Sequence, residues 1–135
     1  MHEFQVRVYY EDTDFSGLVY HASYLRFMER ARTELLRGLG LSQRDLLAGR
    51  TDRGIFFVVR AMAIDFRQPA HMDDLLDVRT RLRRIGGASL AMTQEIWRGD
   101  GLLTRAEVTI ALVENGRARR MPADIREKFE PLLGA

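Results

Sequence analysis

Residues 9–24 read Tyr-Tyr-Glu-Asp-Thr-Asp-Phe-Ser-Gly-Leu-Val-Tyr-His-Ala-Ser-Tyr, followed at 28–32 by Met-Glu-Arg-Ala-Arg. No other stretch gathers so many side chains able to do chemistry. A long helical pattern begins near Tyr20, so its first turn, around Tyr20 to Ser23, presents free amide N–H groups and the positive end of the helix dipole. The polar loop before it brings Asp14 close, and Gly17 lets the backbone approach another group. A carboxylate beside such a terminus has two uses. Asp12 or Asp14 can accept from those amides as an N-cap or Asx turn. Alternatively, the amides hold an oxyanion while the carboxylate acts on a carbonyl carbon, which is acyl-transfer chemistry. Short polar loops before helices are common, and spacing alone favours the first use.

The neighbouring residues are weighed the same way. The His21 imidazole can orient water or a carbonyl, or the residue can matter only through its backbone N–H. Tyr20 and Tyr24 read as core and pocket wall. Glu29 lies two helical turns from His21, and an ion pair with Arg26 or Arg32 is its expected role. Gly87-Ala-Ser89-Leu-Ala91 lacks the second glycine of a nucleophile elbow. No G-x-G-x-x-G or Walker loop exists, so no nucleotide cofactor is expected. His2, His21, His71 and the Asp12/Asp14 pair do not have metal-ligand spacing, so no metal is expected either.

Composition narrows the classes. At 135 residues, 46% hydrophobic and 30% charged, the chain suits one globular domain spanning 1–135 and not a disordered one. Twenty-one basic and 19 acidic residues leave a net charge of +2, with the bases scattered among acids, so no nucleic-acid footprint is expected. The absence of cysteine excludes disulfides, thiolate metal sites and a Cys nucleophile. Ile55 to Val59 is the longest purely apolar run, far short of the roughly 20 residues that span a bilayer. A soluble cytoplasmic protein without membrane insertion is the expectation.

The elements that must carry residues 9–24 follow from periodicity. Phe4, Val6 and Val8 alternate with polar residues as a half-buried strand, and Glu11 to Gly17 reads as loop. Tyr24, Met28, Ala31, Leu35 and Leu39 trace one face of a long helix, which Gly38 and Gly40 stop. Ser42 and Asp45 suggest a short capped helix ending near Gly49. Strands are predicted over Ile55 to Phe66, Leu76 to Ile85, Ser89 to Trp97 and Leu102 to Glu114, with a hairpin at Asp100-Gly101. A turn at Asn115-Gly116, a short strand over Arg117 to Met121 and a helix over Pro122 to Glu130 close the chain. One five-turn helix fits so much sheet only if the sheet curls around it. Such a sheet leaves an edge, and pairing across a two-fold axis covers it.

The motif residues add a resemblance. Val8-Tyr9-Tyr10-Glu11-Asp12-Thr13-Asp14, Gly17-Leu18-Val19-Tyr20-His21-Ala22-Ser23-Tyr24 and Glu29-Arg30-Ala31-Arg32-Thr33-Glu34 resemble the signature of the 4-hydroxybenzoyl-CoA thioesterase family of hotdog-fold proteins. They are particularly similar to its branch of small bacterial acyl-CoA thioesterases associated with the Tol-Pal system. The likeness extends through Phe57-Val58-Val59-Arg60, Pro69-Ala70, Asp73-Asp74 and Ser89-Leu90. It implies an α+β hotdog fold, with a long central helix wrapped by a curved antiparallel sheet of about five strands. It also implies hydrolysis of acyl-CoA, with Asp14 as catalytic carboxylate, the N–H at His21 as oxyanion donor, and Gly17, Val19, Tyr20 and Tyr24 around the substrate. Arg83 and Arg84 are the candidates for the coenzyme's phosphates. Arg117, Arg119 and Arg120 read as a solvated strand end, with contact to the phosphates of an acyl-CoA as the alternative. No cofactor is implied, and a dimer-based homo-oligomer, a dimer of dimers, is expected. A hotdog hydratase or dehydratase and a non-catalytic acyl-binding protein are the competing classes.

Overall fold

The long helix is built as its spacing requires. In the computed structural model, which describes residues 1–41 and 55–134, α1 runs His21–Gly38. Tyr24, Met28, Ala31 and Leu35 are all buried on its inner face, and Phe27 and Leu36 widen that face beyond the strict stripe. The helix ends in a glycine-dependent stop. Gly40 takes φ +78°, its N–H donates to Arg37 O at 3.0 Å, and Leu41 N–H donates to Leu36 O at 2.8 Å. That 6→1 and 5→2 pair is the Schellman arrangement, and it needs a residue free to adopt the left-handed conformation.

The strands are β1 (His2–Arg7), β2 (Ile55–Phe66), β3 (Leu75–Ile85), β4 (Ser89–Arg98), β5 (Gly101–Glu114) and β6 (Arg117–Ala118). They form one six-stranded antiparallel sheet in the order β1-β3-β4-β5-β2, with β6 on β5. The α+β hotdog architecture is therefore as expected, with one short strand more than about five. Register shifts at Val59/Ala61, Leu82/Arg84 and Ile96/Trp97 mark bulges, the devices by which a sheet bends. α1 lies on this sheet over β3 and β1. Its inner face joins Leu76, Val78, Leu90, Met92, Ile96, Leu103 and Val108 in one core cluster. Helix α2 (Ala123–Phe129) adds Ile125 and Phe129.

Three local expectations shift. The β4–β5 turn is Gly99-Asp100, with Arg98 opposite Gly101, so it is Gly99 at φ +58° that supplies the tight hairpin and Gly101 already belongs to β5. The strand expected over Arg117 to Met121 pairs only at Arg117 and Ala118. The stretch from Glu11 to Gly17 is not all loop, because Tyr10–Asp12 is one turn of 3-10 helix. The helix expected from Ser42 to Gly49 lies outside the described residues.

One topological fact positions the site. β2 and β3 are consecutive in the chain but sit on opposite sides of β5 and β4 in the sheet. The segment 67–74 must therefore cross the end of the sheet, and there it meets the start of α1 and the loop that precedes it.

Candidate active site

Asp14 sits in a closed turn. Its N–H donates to Leu18 O at 2.9 Å, Gly17 N–H donates to Asp14 O at 3.1 Å, and Thr13 bridges Val19. Gly17 holds φ +83°, and no atom lies within 4 Å of where its Cβ would be. A glycine thus serves the turn, whose positive φ other residues rarely adopt. The Asp14 carboxylate accepts the Ser16 N–H at 2.8 Å and the Ser16 hydroxyl through the same Oδ1. Those two bonds, first the hydroxyl and then the amide, hold its pKa below the usual Asp range. Burial opposes them, and the Leu18 amide and the electrostatic influence of His21 lower it further by lesser amounts. Asp14 is exposed and ionised at neutral pH, and no described residue donates to its Oδ2.

The Asx turn weighed from the sequence is therefore present at Asp14, yet it leaves the helix amides alone. Asp12 is buried and accepts the Tyr9 N–H at 2.9 Å, so it does not cap α1 either. The N-cap residue of α1 is Tyr20, which provides no side-chain cap. Ser23 N–H reaches Tyr20 O at 2.8 Å, while the amides of His21 and Ala22 lie ahead of any intrahelical acceptor.

Asp14 and this uncapped terminus line one cavity of about 270 Å³, whose wall includes Val19, Tyr20, His21, Tyr24, Phe66, Arg67, Gln68 and Pro69. His21 packs its ring 4.6 Å from that of Phe66, and Tyr24 lies 5.4 Å from Phe66. Tyr20 is half-exposed at the mouth. Tyr24 is buried, accepts the Ala70 N–H on its hydroxyl at 2.9 Å, and has its pKa raised by burial. Asp14, Val19, Tyr20, His21 and Tyr24 are thus brought together, with Gly17 in the adjoining turn.

Arg83 and Arg84 are not. They stand near the end of β3, far from Leu75, the strand end beside the crossing segment. Arg83 donates to Thr93 Oγ1 at 2.9 Å. The sequence reading missed the Ser16 contact with Asp14 and the wall at 66–69. Pro69-Ala70 lay in the quoted resemblance and was the available signal for that wall.

The sequence model of the Thioesterase superfamily matches residues 16–104, about two thirds of the chain. The chain belongs to the thioesterase superfamily. The match begins two residues after Asp14, so membership does not itself assign that carboxylate. The chain is 43% identical over 131 residues to the acyl-CoA thioesterase YbgC of Haemophilus influenzae, covering 96% of this chain and 94% of that protein. It is 44% identical over 128 residues to the acyl-CoA thioester hydrolase YbgC of Escherichia coli, covering 93% and 92%. Among solved structures, a probable thioesterase from Bartonella henselae superposes with a TM-score of 0.86 at 49% identity, over 90% of this chain and 98% of that one.

Proposed function

We propose that this superfamily member is an acyl-CoA thioesterase, converting acyl-CoA and water to a carboxylic acid and free coenzyme A. One observation carries the reading: Asp14, an ionised carboxylate to whose Oδ2 no described residue donates, lines the same cavity as the uncapped start of α1. The names of the two YbgC relatives support the substrate class.

The chemistry needs little else. The thioester carbonyl oxygen lies toward the amide N–H at His21, which stabilises the negative charge of the tetrahedral adduct. Asp14 takes a proton from the attacking water as the water oxygen bonds to carbon. The carbon–sulfur bond then breaks and coenzyme A leaves as a thiolate. A thiol has a pKa of about 8.5, so it departs without a strong acid behind it. The competing route is direct attack by Asp14, giving a mixed anhydride that water hydrolyses. Gly17 shapes the Asp14 turn, and Val19, Tyr20 and Tyr24 line the acyl side of the cavity. Arg83 and Arg84 do not line it, and Arg67 at its wall is the nearer basic group in the chain.

The protein contains no cysteine, so thiol release is read against a clean background. Steady release over many turnovers from a panel of acyl-CoAs is expected. A hydratase would liberate no thiol, and a binding protein at most one equivalent. Asp14→Asn is expected to fold normally and to lower kcat at least ~10²-fold. Undiminished turnover in that variant would remove Asp14 from the mechanism.

The proposal includes a dimer-based homo-oligomer. Among the described strands β2 pairs only with β5, and Val59 and Phe66 on it are exposed. An open edge of 12 residues is a template for a second copy. Phe66 belongs to both that edge and the cavity wall. Light scattering is expected to return a dimer or a multiple of it, and a monomer at micromolar concentration would contradict the edge argument.

A further inference from the structure

The segment crossing from β2 to β3 is tied to each strand it passes. Arg67 and Gln68 N–H groups both donate to Leu103 O of β5, at 2.8 and 3.1 Å. Arg98, the last residue of β4, donates through Nη1 to the Asp74 carboxylate at 2.8 Å and faces the Pro69 carbonyl at 3.3 Å. Asp74 Oδ2 also accepts the His71 N–H at 2.8 Å, with His71 Nδ1 at 3.7 Å. Burial alone would raise the Asp74 pKa, but the Arg98 hydrogen bond, the His71 amide and the charges of both residues hold it below the usual carboxylate range. At neutral pH this is a standing ion pair.

From the segment so held, contacts run both to the Asp14 turn and to α1, and they meet at Ala70. The Ala70 carbonyl accepts the Val19 N–H at 2.9 Å, and Leu18 bridges His71, so residues 70–71 hold the strand that closes the Asp14 turn. The Ala70 N–H donates to the Tyr24 hydroxyl at 2.9 Å, so the same residue holds the first turns of α1. Ala70 is thus a tie between the Asp14 turn and the start of α1, beside the direct Tyr20 N–H to Asp12 O bond at 2.9 Å, and its neighbours Pro69 and His71 are held by Arg98 and Asp74. A partly exposed ion pair contributes little to global stability. Its geometric effect is a separate matter.

We infer that Asp74 and Arg98 are positioning residues for the reaction, a latch between the end of β4 and the crossing segment that sets Asp14 against the start of α1. Neither lines the cavity. The inference rests on the proposed role of Asp14.

Its test compares kinetics in two backgrounds. Asp74→Ala and Arg98→Ala are each expected to lower kcat by roughly ten- to a hundredfold, as sub-ångström to ångström misplacement does, while KM stays within about twofold. Arg98→Lys, which keeps the charge and one donor, is expected to recover most of the loss. In the Asp14→Asn background, Asp74→Ala is expected to cost nothing further, because a latch acting through Asp14 has nothing left to position. Normal kcat in both alanine variants overturns the inference, as does a change confined to KM. So does the same fractional loss with and without Asp14, which would mark the pair as merely structural. If Asp74→Ala fails to fold, Arg98→Ala and Arg98→Lys carry the same comparison from the other element. Full activity in Asp14→Asn would fell the mechanism itself, whereas an inactive Asp14→Asn beside a fully active Asp74→Ala would fell the latch alone.

Discussion

Two polar clusters face the same helix and are built in opposite ways. Halfway along α1, Arg32 is buried and donates to Gln94 Oε1 at 2.8 Å. Gln94, fully enclosed on β4, donates in turn to Met28 O at 3.1 Å and to Thr80 Oγ1 at 3.0 Å. Burial lowers the Arg32 pKa, and the charge of Glu29 works against that. Here both amide hydrogens and the carbonyl oxygen have partners, and the cluster ties helix to sheet. At the helix start, Asp14 keeps one carboxylate oxygen without a donor among the described residues, and the first amides have no side-chain cap. A buried polar group left unpaired costs free energy, so such groups are tolerated at the start of α1 because water reaches them. The interior cluster holds the fold, whereas the terminal one leaves donors and acceptors open to a ligand.

That contrast breaks most visibly if the two clusters exchange roles under mutation. Asp14→Asn, with its expected loss of at least ~10² in kcat, is expected to move the urea unfolding midpoint by no more than the equivalent of about 0.5 kcal/mol, the range of surface substitutions. A large stability loss there would make Asp14 a structural residue. Gln94→Leu is the converse. It removes three hydrogen bonds and strands a buried guanidinium, so a destabilisation of about 2–3 kcal/mol is expected in urea titration. Activity per folded molecule is expected to be unchanged. Replacing Arg32 by Met in the same chain removes the stranded charge and is expected to recover part of that loss.

A finer test concerns the acid side of the rate profile. The active form of Asp14 is the carboxylate, and the Ser16 hydroxyl is the largest influence lowering its pKa. Activity is therefore retained as pH falls through the usual Asp range and lost only below it. Ser16→Ala removes that hydrogen bond, so the acid limb of kcat/KM is expected to move upward toward the ordinary Asp value of about 3.9. The rate near neutrality should hardly change. A limb that stays in place would show that the titration seen in the rate belongs to another group.

Much of this was legible in the residues. Tyr24, Met28, Ala31 and Leu35 announced the buried face of α1 because a 3.6-residue period has only one way to meet a core. The long alternating runs announced the sheet, and the spacing of Asp14 from the helix start pointed to the loop that joins them. Phe27 and Leu36 escaped the pattern because the sheet covers more of α1 than a narrow stripe. Arg32 and Gln94 escaped for a different reason. A charged residue among Arg30 and Arg37 looks solvated until the strand carrying its partner is known, 62 residues away in sequence.

Periodicity, turn chemistry and motif spacing are local, and they already fixed the elements, their order and the carboxylate to examine. Beyond the hairpin at Asp100-Gly101, they do not say which strands become neighbours. The order β1-β3-β4-β5-β2 separates β2 from β3 and sends residues 67–74 across the end of the sheet. That crossing makes Phe66 to Pro69 a cavity wall, sets Asp74 against Arg98, and leaves Arg83 and Arg84 out of the cavity. Long-range pairing is chosen by the packing of the whole core, so the company a residue keeps is known only once the chain has folded.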